Sequence, residues 1–376
     1  MTRARDLGIR IGFGRPGELN AITDVPGVKV GHTTLISGDG PLVIGSGPVR
    51  TGVTVVIPHE GDVFGEPLFG GSFTLNGCGQ VTGLEWIRES GLLGGVIGLT
   101  NTHSVGTVHD ALIAAAVAGG RTDSWSLPVV GETWDGLLND VSGFHVRAEH
   151  VQAALAVATD GPVAEGNVGG GTGMICHEFK GGIGTASRVL PPEVGGWTVG
   201  ALVQANYGDR DQLRVDGVAV GEALPVTEIS SPYGIDRSPL AWADAGSIIG
   251  LVATNAPLVG QQCTRLATRA ALGAARVGCY ASNGSGDMFL AFATGNRGLS
   301  RTAGEGRSGP QTVATTTVAD SWITPLLLAA VEATEEAIIN ALVAAETMSG
   351  ADGVTAHRLP HDRLVDLVER AGRLNR

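Results

Sequence analysis

The sequence predicts a mixed α/β or α+β chain, on three observations. Apolar, β-branched runs of strand length recur along it, segments of helical period stand between them, and glycine-rich crossings join the two. The first strand begins at 28–30, after the Pro26-Gly27 turn. Residues 51–58, β-branched throughout and stopped by Pro58, read as an interior strand buried on both faces. A glycine-rich stretch over 70–79 leads to a short helix at 81–89, a buried strand at 94–100 and a helix at 108–118. The strand at 128–136 carries Glu132, Trp134 and Asp135 into a loop, where polar groups are natural site material. A helix over 148–158 follows. Residues 197–205 form a strand that delivers Asn206 at its end, and 246–253 form another. The helix at 258–277 sets Leu266, Ala270, Ala274 and Val277 on one face, with Gly278 as its cap. The chain then crosses 279–284 into a strand over 288–293. Residues 296–316, rich in Gly, Ser, Arg and Thr, read as an exposed loop; the longest helical pattern spans 321–348, and a last helix covers 362–371. With no repeat and no linker, 1–376 reads as one domain.

Charge and composition narrow the function classes. A formal net charge of −12 without long runs of either sign excludes nucleic acid and an anionic membrane surface as partners. The 59 glycines are neither periodic nor matched by high proline, which points to tight turns and close backbone approaches rather than to collagen or disorder. Only 16% of residues are charged, which predicts a buried interface in a homo-oligomer. Cys78, Cys176, Cys263 and Cys279 are scattered, so the expectation is four reduced thiols, no metal site, no organic cofactor and a cytoplasmic protein.

Three stretches carry possible chemistry. The run Glu165-Gly166-Asn167-Val168-Gly169-Gly170-Gly171-Thr172-Gly173 invites a phosphate-loop reading, yet it lacks the Gly-Lys-Ser/Thr ending, and a tightly packed backbone segment fits better. His103 and His109 lack carboxylate partners at metal-like spacing and read as scaffolding. The third stretch is Asn283-Gly284-Ser285-Gly286-Asp287, which leaves Ser285 sterically open between two glycines. Asn283 stands where a nucleophile elbow needs glycine, and the nearest histidines in sequence are His177 and His357. Cleavage of Gly284-Ser285 would supply the missing base: the freed α-amine has a reference pKa of about 7.7–8.0, close to working pH.

Segments in the same order along nearly the whole chain give it a family. Ala4-Arg5-Asp6-Leu7-Gly8, Asn20-Ala21-Ile22-Thr23-Asp24-Val25-Pro26-Gly27-Val28 and Arg50-Thr51-Gly52-Val53-Thr54 precede the glycine-rich run from Glu165. Val203-Gln204-Ala205-Asn206 and Glu332-Ala333-Thr334-Glu335-Glu336-Ala337 follow it. Together they resemble the self-processing DmpA/BapA-type aminopeptidases, the P1 family of N-terminal-nucleophile hydrolases. The resemblance implies an αββα sandwich, cleavage at Gly284-Ser285 into an α chain of 1–284 and a β chain of 285–376, and an assembly of αβ units, a tetramer among the options. It implies release of N-terminal residues from short peptides, amino-acid amides or esters through an acyl-enzyme on Ser285. Asn206 takes the place of an oxyanion-stabilising asparagine. The family tyrosine 72 positions before that asparagine corresponds here to Trp134, whose indole donates but neither accepts nor ionises. Asp320 and Ser321 are the nearest match to a polar pair in the β chain. Alternatives are an amide hydrolase of nylon-oligomer or pantetheine type, an acyltransferase of the same fold, and a non-enzymatic glycine-rich scaffold.

Overall fold

The structure, a computed structural model, describes residues 1–122, 125–234, 246–299 and 312–375. Its main strands are β1 (Lys29–Ser37), β2 (Val49–Ile57), β3 (Leu68–Gly77), β4 (Ile97–Asn101), β5 (Val129–Thr133), β6 (Gly182–Val189), β7 (Thr198–Asn206), β8 (Ser247–Thr254) and β9 (Gly286–Ala293). The helices are α1 (Leu84–Ser90), α2 (Val105–Ala118), α3 (Ala148–Ala156), α4 (Gly260–Val277), α5 (Thr324–Ala344) and α6 (His361–Arg370). One sheet has the order β1-β2-β4-β5. The other runs β3-β9-β8-β7-β6, with the two-residue strand Leu92–Leu93 outside β3.

Side-chain alternation along the strands builds four layers. On β8, Ile248 and Val252 face a core shared with α4 and α5, where Leu266, Ala270, Ile338 and Leu342 pack. Ile249, Leu251 and Ala253 face the other way and meet Val56, Leu99 and Val129 of the four-stranded sheet. That sheet's outer face buries Val53 and Val55 against Val105, Val108 and Val151 of α2 and α3. Helix, sheet, sheet and helix therefore stack as the αββα sandwich.

Most elements fall where the residue pattern places them, and 51–58 is interior, as β2 between β1 and β4. The expected helix over 321–348 is shorter: 320–322 form a 3-10 turn, Pro325 sits in the first turn of α5, and the chain turns extended at Ala345. Of the loop expected over 296–316, residues 300–311 lie outside those described. Two strands carry no readable strand pattern, β3 and β6, because glycines hold places where side chains would mark them. A Cβ on Gly184 would lie 1.9 Å from the Ala337 carbonyl oxygen of α5, so β6 gives up side chains to let the helix lie close. No described helix is long and apolar enough to cross a membrane.

Candidate active site

Strand register brings the site together. Asn206, the last residue of β7, pairs with Ser247 at the start of β8, and Ser247 pairs in turn with Gly286 at the start of β9. Ser285 therefore arrives beside the end of β7. The Gly286 amide donates to the Gly246 carbonyl at 3.2 Å and to Ser247 Oγ at 3.1 Å, which fixes the head of β9. Before it the chain folds as a tight turn, in which the Ser285 amide donates to the Ser282 carbonyl at 2.9 Å. From the facing strand β3, Asn76 Nδ2 donates to the carbonyls of Ser282 (2.8 Å), Asn283 (3.1 Å) and Ser285. One amide thus holds the carbonyls on both sides of the Gly284-Ser285 bond.

Ser285 is only 3% exposed, yet it lines a cleft with Asn206, Tyr207, Asp209, Tyr233 and Tyr280. Because residues two apart on a strand share a face, Asp287 lies beneath it, and Ser285 Oγ donates to Asp287 Oδ1 at 2.7 Å. Asp287 is fully buried. Burial pushes its carboxyl up to about 6, against the opposing help of the Ser285 hydroxyl and the Ile248 amide. Among the described residues its second oxygen, Oδ2, accepts no bond of hydrogen-bonding geometry.

Asn206 is held by backbone on both ends of its amide. The Ile175 amide donates to Oδ1 at 2.7 Å, and Nδ2 donates to the Trp134 carbonyl at 3.0 Å. The first bond fixes which end of the amide is oxygen, so the donor end faces away from Ile175 with one N–H to spare. Behind the same peptide lies Lys180, whose Nζ donates to the Met174 and Gly181 carbonyls at 2.8 Å and to Gly171 at 3.3 Å. An ammonium and Asn206 therefore grip opposite ends of the Met174–Ile175 peptide. Burial lowers Lys180 to about 7.

The remaining expectations divide. Trp134 meets Asn206 through its backbone; its ring folds over Gly136, whose added Cβ would stand 2.6 Å from the indole nitrogen, and it does not line the cleft. Asp320 and Ser321 are not brought to Ser285. They follow Val318, whose amide donates to the Pro257 carbonyl at 3.1 Å beyond the far end of β8, and Asp320 pairs with Arg265. Along an eight-residue strand that end is about 25 Å from Ser285. Order in sequence suggested the pair; strand direction separates it from the site.

No described histidine bonds Ser285. His177 packs against Tyr207 with ring centroids 5.0 Å apart, its Nδ1 sits 2.9 Å from the Asp209 carbonyl, and burial lowers it to about 4, so it is neutral. His357 meets Ser230 at 3.0 Å. His103 stacks on Phe144 and His109 lies by Asp110, as scaffolding requires. Glu132 accepts from the Gln80 amide at 2.8 Å and from Thr102, and burial raises its carboxyl. The run from Glu165 is a packed wedge, as its missing phosphate-loop ending implied: a Cβ on Gly170 would come within 2.1 Å of Gln204 Oε1 and 2.7 Å of the Leu99 carbonyl. Asp287, Asn76 and Lys180 had no role from sequence. Only Asp287 carried a signal, its place two residues from Ser285 on a strand.

Comparisons with known proteins agree with this geometry. The model of Peptidase family S58 matches residues 20–356. The chain is 47% identical over 377 residues to the beta-peptidyl aminopeptidase BapA of Sphingosinicella microcystinivorans, across 99% of this chain and 93% of that protein. A solved beta-aminopeptidase from a Burkholderia species superposes with a TM-score of 0.90 at 54% identity, covering 99% of each chain. The L-aminopeptidase D-Ala-esterase/amidase of Ochrobactrum anthropi, described as a prototype of the serine aminopeptidases and a variant of the Ntn hydrolase fold, superposes with a TM-score of 0.87. Its identity is 41%, with 100% of each chain covered.

Proposed function

The chain belongs to peptidase family S58 and is an aminopeptidase of the N-terminal-nucleophile fold, and from that premise we propose that Ser285 is its nucleophile, freed by self-cleavage at Gly284-Ser285. The observation that carries this reading is the buried Ser285 hydroxyl, bonded to Asp287 in a cleft that Asn206 also lines. In the cleaved enzyme the α-amine takes the Oγ proton as Oγ attacks the carbonyl of the substrate's first residue; the scissile C–N bond then breaks, and the departing amine receives that proton from the α-ammonium. The spare N–H of Asn206 stabilises the oxyanion, and water releases the acyl group. Trp134 contributes its carbonyl, which orients Asn206.

The two products, 1–284 and 285–376, stay together on this reading. β9 lies inside the sheet between β3 and β8, and α5 is tied to the first segment by Arg188 with Glu332 and Glu336. Denaturing mass spectrometry of purified protein gives two masses split before Ser285, and Ser285→Ala gives one chain without activity; a single intact chain with full activity removes the proposal.

The substrate class we assign is short peptides and amides with an N-terminal β-amino acid, on the strength of the two β-aminopeptidase relatives. A panel of p-nitroanilides of β-alanine, β-homoalanine, L-alanine and D-alanine tests it. Higher kcat/KM on the β-residues is expected; preference for L-alanine would place the enzyme with the L-aminopeptidase relative instead. Four free cysteines support a reducing, cytoplasmic compartment, and exposed Ile36 near the end of β1 with Val43 and Ile44 between β1 and β2 support association into a homo-oligomer.

A further inference from the structure

Self-cleavage poses a chemical problem that the mature enzyme does not have. Before the Gly284-Ser285 bond is cut there is no α-amine, so the base that serves turnover is absent at the one step that creates it. We propose that Asp287 is the proton acceptor of that first step, and so a catalytic residue of maturation distinct from the α-amine of turnover. The inference rests on the reading of Ser285 as the self-cleaving nucleophile.

Three observations support it. Asp287 is the residue to which Ser285 Oγ donates, at 2.7 Å, which is within reach for direct proton transfer. It is fully buried, and among the described residues its Oδ2 takes no hydrogen bond. Buried and with no ion pair among the described residues, its carboxylate is a stronger proton acceptor than one in water. Finally, the turn that presents the scissile bond is held by Asn76 on the Ser282, Asn283 and Ser285 carbonyls, so Ser285 and Asp287 are preset rather than assembled on demand.

The step balances without any added reactant but water. Asp287 Oδ1 takes the hydroxyl proton as Ser285 Oγ bonds to the Gly284 carbonyl carbon. The tetrahedral adduct collapses with rupture of the bond from that carbon to the Ser285 nitrogen, which receives the proton back from Asp287. The result is an ester between Gly284 and Ser285 Oγ beside a free α-amine. Water then adds to the ester carbonyl, giving up a proton to the new amine, and Oγ leaves with a proton. A Gly284 carboxyl and an N-terminal Ser285 remain.

Asp287 is also the group bonded to the nucleophile whose charge changes in the working range; Lys180, behind Asn206, changes higher, at about 7. The ionisable groups that interact with it are the Cys279 thiol, pushed up to about 12 by burial, and the Tyr207 phenol, raised further by burial. His177, beside Tyr207, is lowered to about 4. All three stay neutral between pH 5 and 8, while the Asp287 carboxyl, at about 6, does not.

The test uses the full-length chain made by cell-free translation, with cleavage followed by denaturing mass spectrometry. Wild type is expected to split, and Asp287→Asn to split at least about 100-fold more slowly, the low end of what a general base contributes, with a melting temperature no lower than that of Ser285→Ala. Cleavage of Asp287→Asn within about threefold of wild type overturns the inference. A wild-type chain that never splits removes instead the reading of Ser285 on which it rests. The second arm is the wild-type cleavage rate across pH 5–8, which decides the matter even where Asp287→Asn does not fold. A rise through about pH 6 to a plateau supports Asp287 as the base, and a flat profile overturns it.

Discussion

Two of the places where the chain buries charge are treated in opposite ways. Under α5, Arg188 is fully buried, and its guanidinium reaches Glu332 at 3.0 Å, Glu336 at 2.7 Å and the carbonyls of Ile11 and Ser187 at 2.6 and 2.8 Å. Glu336 is shared with Arg5 at 2.7 and 2.9 Å and with Asn20 at 2.6 Å, while Glu332 caps the Phe13 and Gly14 amides at 3.0 and 2.9 Å. Burial opposes the Glu336 charge, but the two arginines more than offset it, and the carboxyl ends below its ordinary range. At the head of β9 Asp287 is fully buried too, yet it has only the Ser285 hydroxyl and the Ile248 amide to offset burial, and its carboxyl rises to about 6. Burial opposes the charge in both places; the number and charge of the partners decide whether it yields a fixed ion cluster or a reactive acid.

The largest effect expected from this contrast is on the paired side. Arg188→Met removes a cation that two buried carboxylates share, which costs about 3–5 kcal/mol because the carboxylates stay behind uncompensated. Urea unfolding measures it, in a Ser285→Ala background so that a single chain unfolds. A loss under about 1 kcal/mol would break the comparison, since the cluster would then hold nothing together. The same bonds join the two fragments of the cleaved protein, so in cleaved Arg188→Met the piece beginning at Ser285 is expected to come away at lower urea than in wild type.

Sequence showed the pieces of that cluster without showing that they touch. Arg5, Asn20, Glu332 and Glu336 all lie in segments that carry the family resemblance, yet hundreds of residues separate partners that pack as neighbours. Strands such as β2, β7 and β8 were legible because both faces are buried and their apolar runs are long. β6 was not, since glycine at 184 signals closeness to α5 only once the helix is there. At the site, Ser285 and Asn206 could be named because strand ends and glycines mark them. Lys180 acts on the Met174 carbonyl six positions before it, through the turn between them, and Asn76 reaches its carbonyls from a strand more than two hundred positions away; no residue pattern reports either contact. Asp320 and Ser321 were misplaced for the complementary reason: proximity in sequence to α5 does not say which end of the sheet a loop reaches.

A smaller and sharper effect lies on the unpaired side. Asp287→Asn in the Ser285→Ala background removes a buried charge with few partners, so it is expected to stabilise the chain where Arg188→Met destroys it. The sign follows from proton linkage. With Ser285 in place the folded carboxyl sits at about 6, and alanine there removes a bond that lowered it, so it stands no lower in this background; the unfolded one takes the ordinary value near 3.9, so the folded state binds more protons between them. Its contribution to stability is therefore lost as pH rises from about 4 through about 6. The asparagine variant lacks that dependence, and its advantage should grow from near zero below pH 4 to about 1–3 kcal/mol above pH 6.5. Other raised carboxyls, Asp135 at about 6 and Glu165 at about 7, are present in both proteins and cancel in the difference. Urea midpoints of the two proteins at a series of pH values give the curve. A constant difference across pH would mean that folding leaves the Asp287 carboxyl at its ordinary value, and that the head of β9 holds no reactive acid.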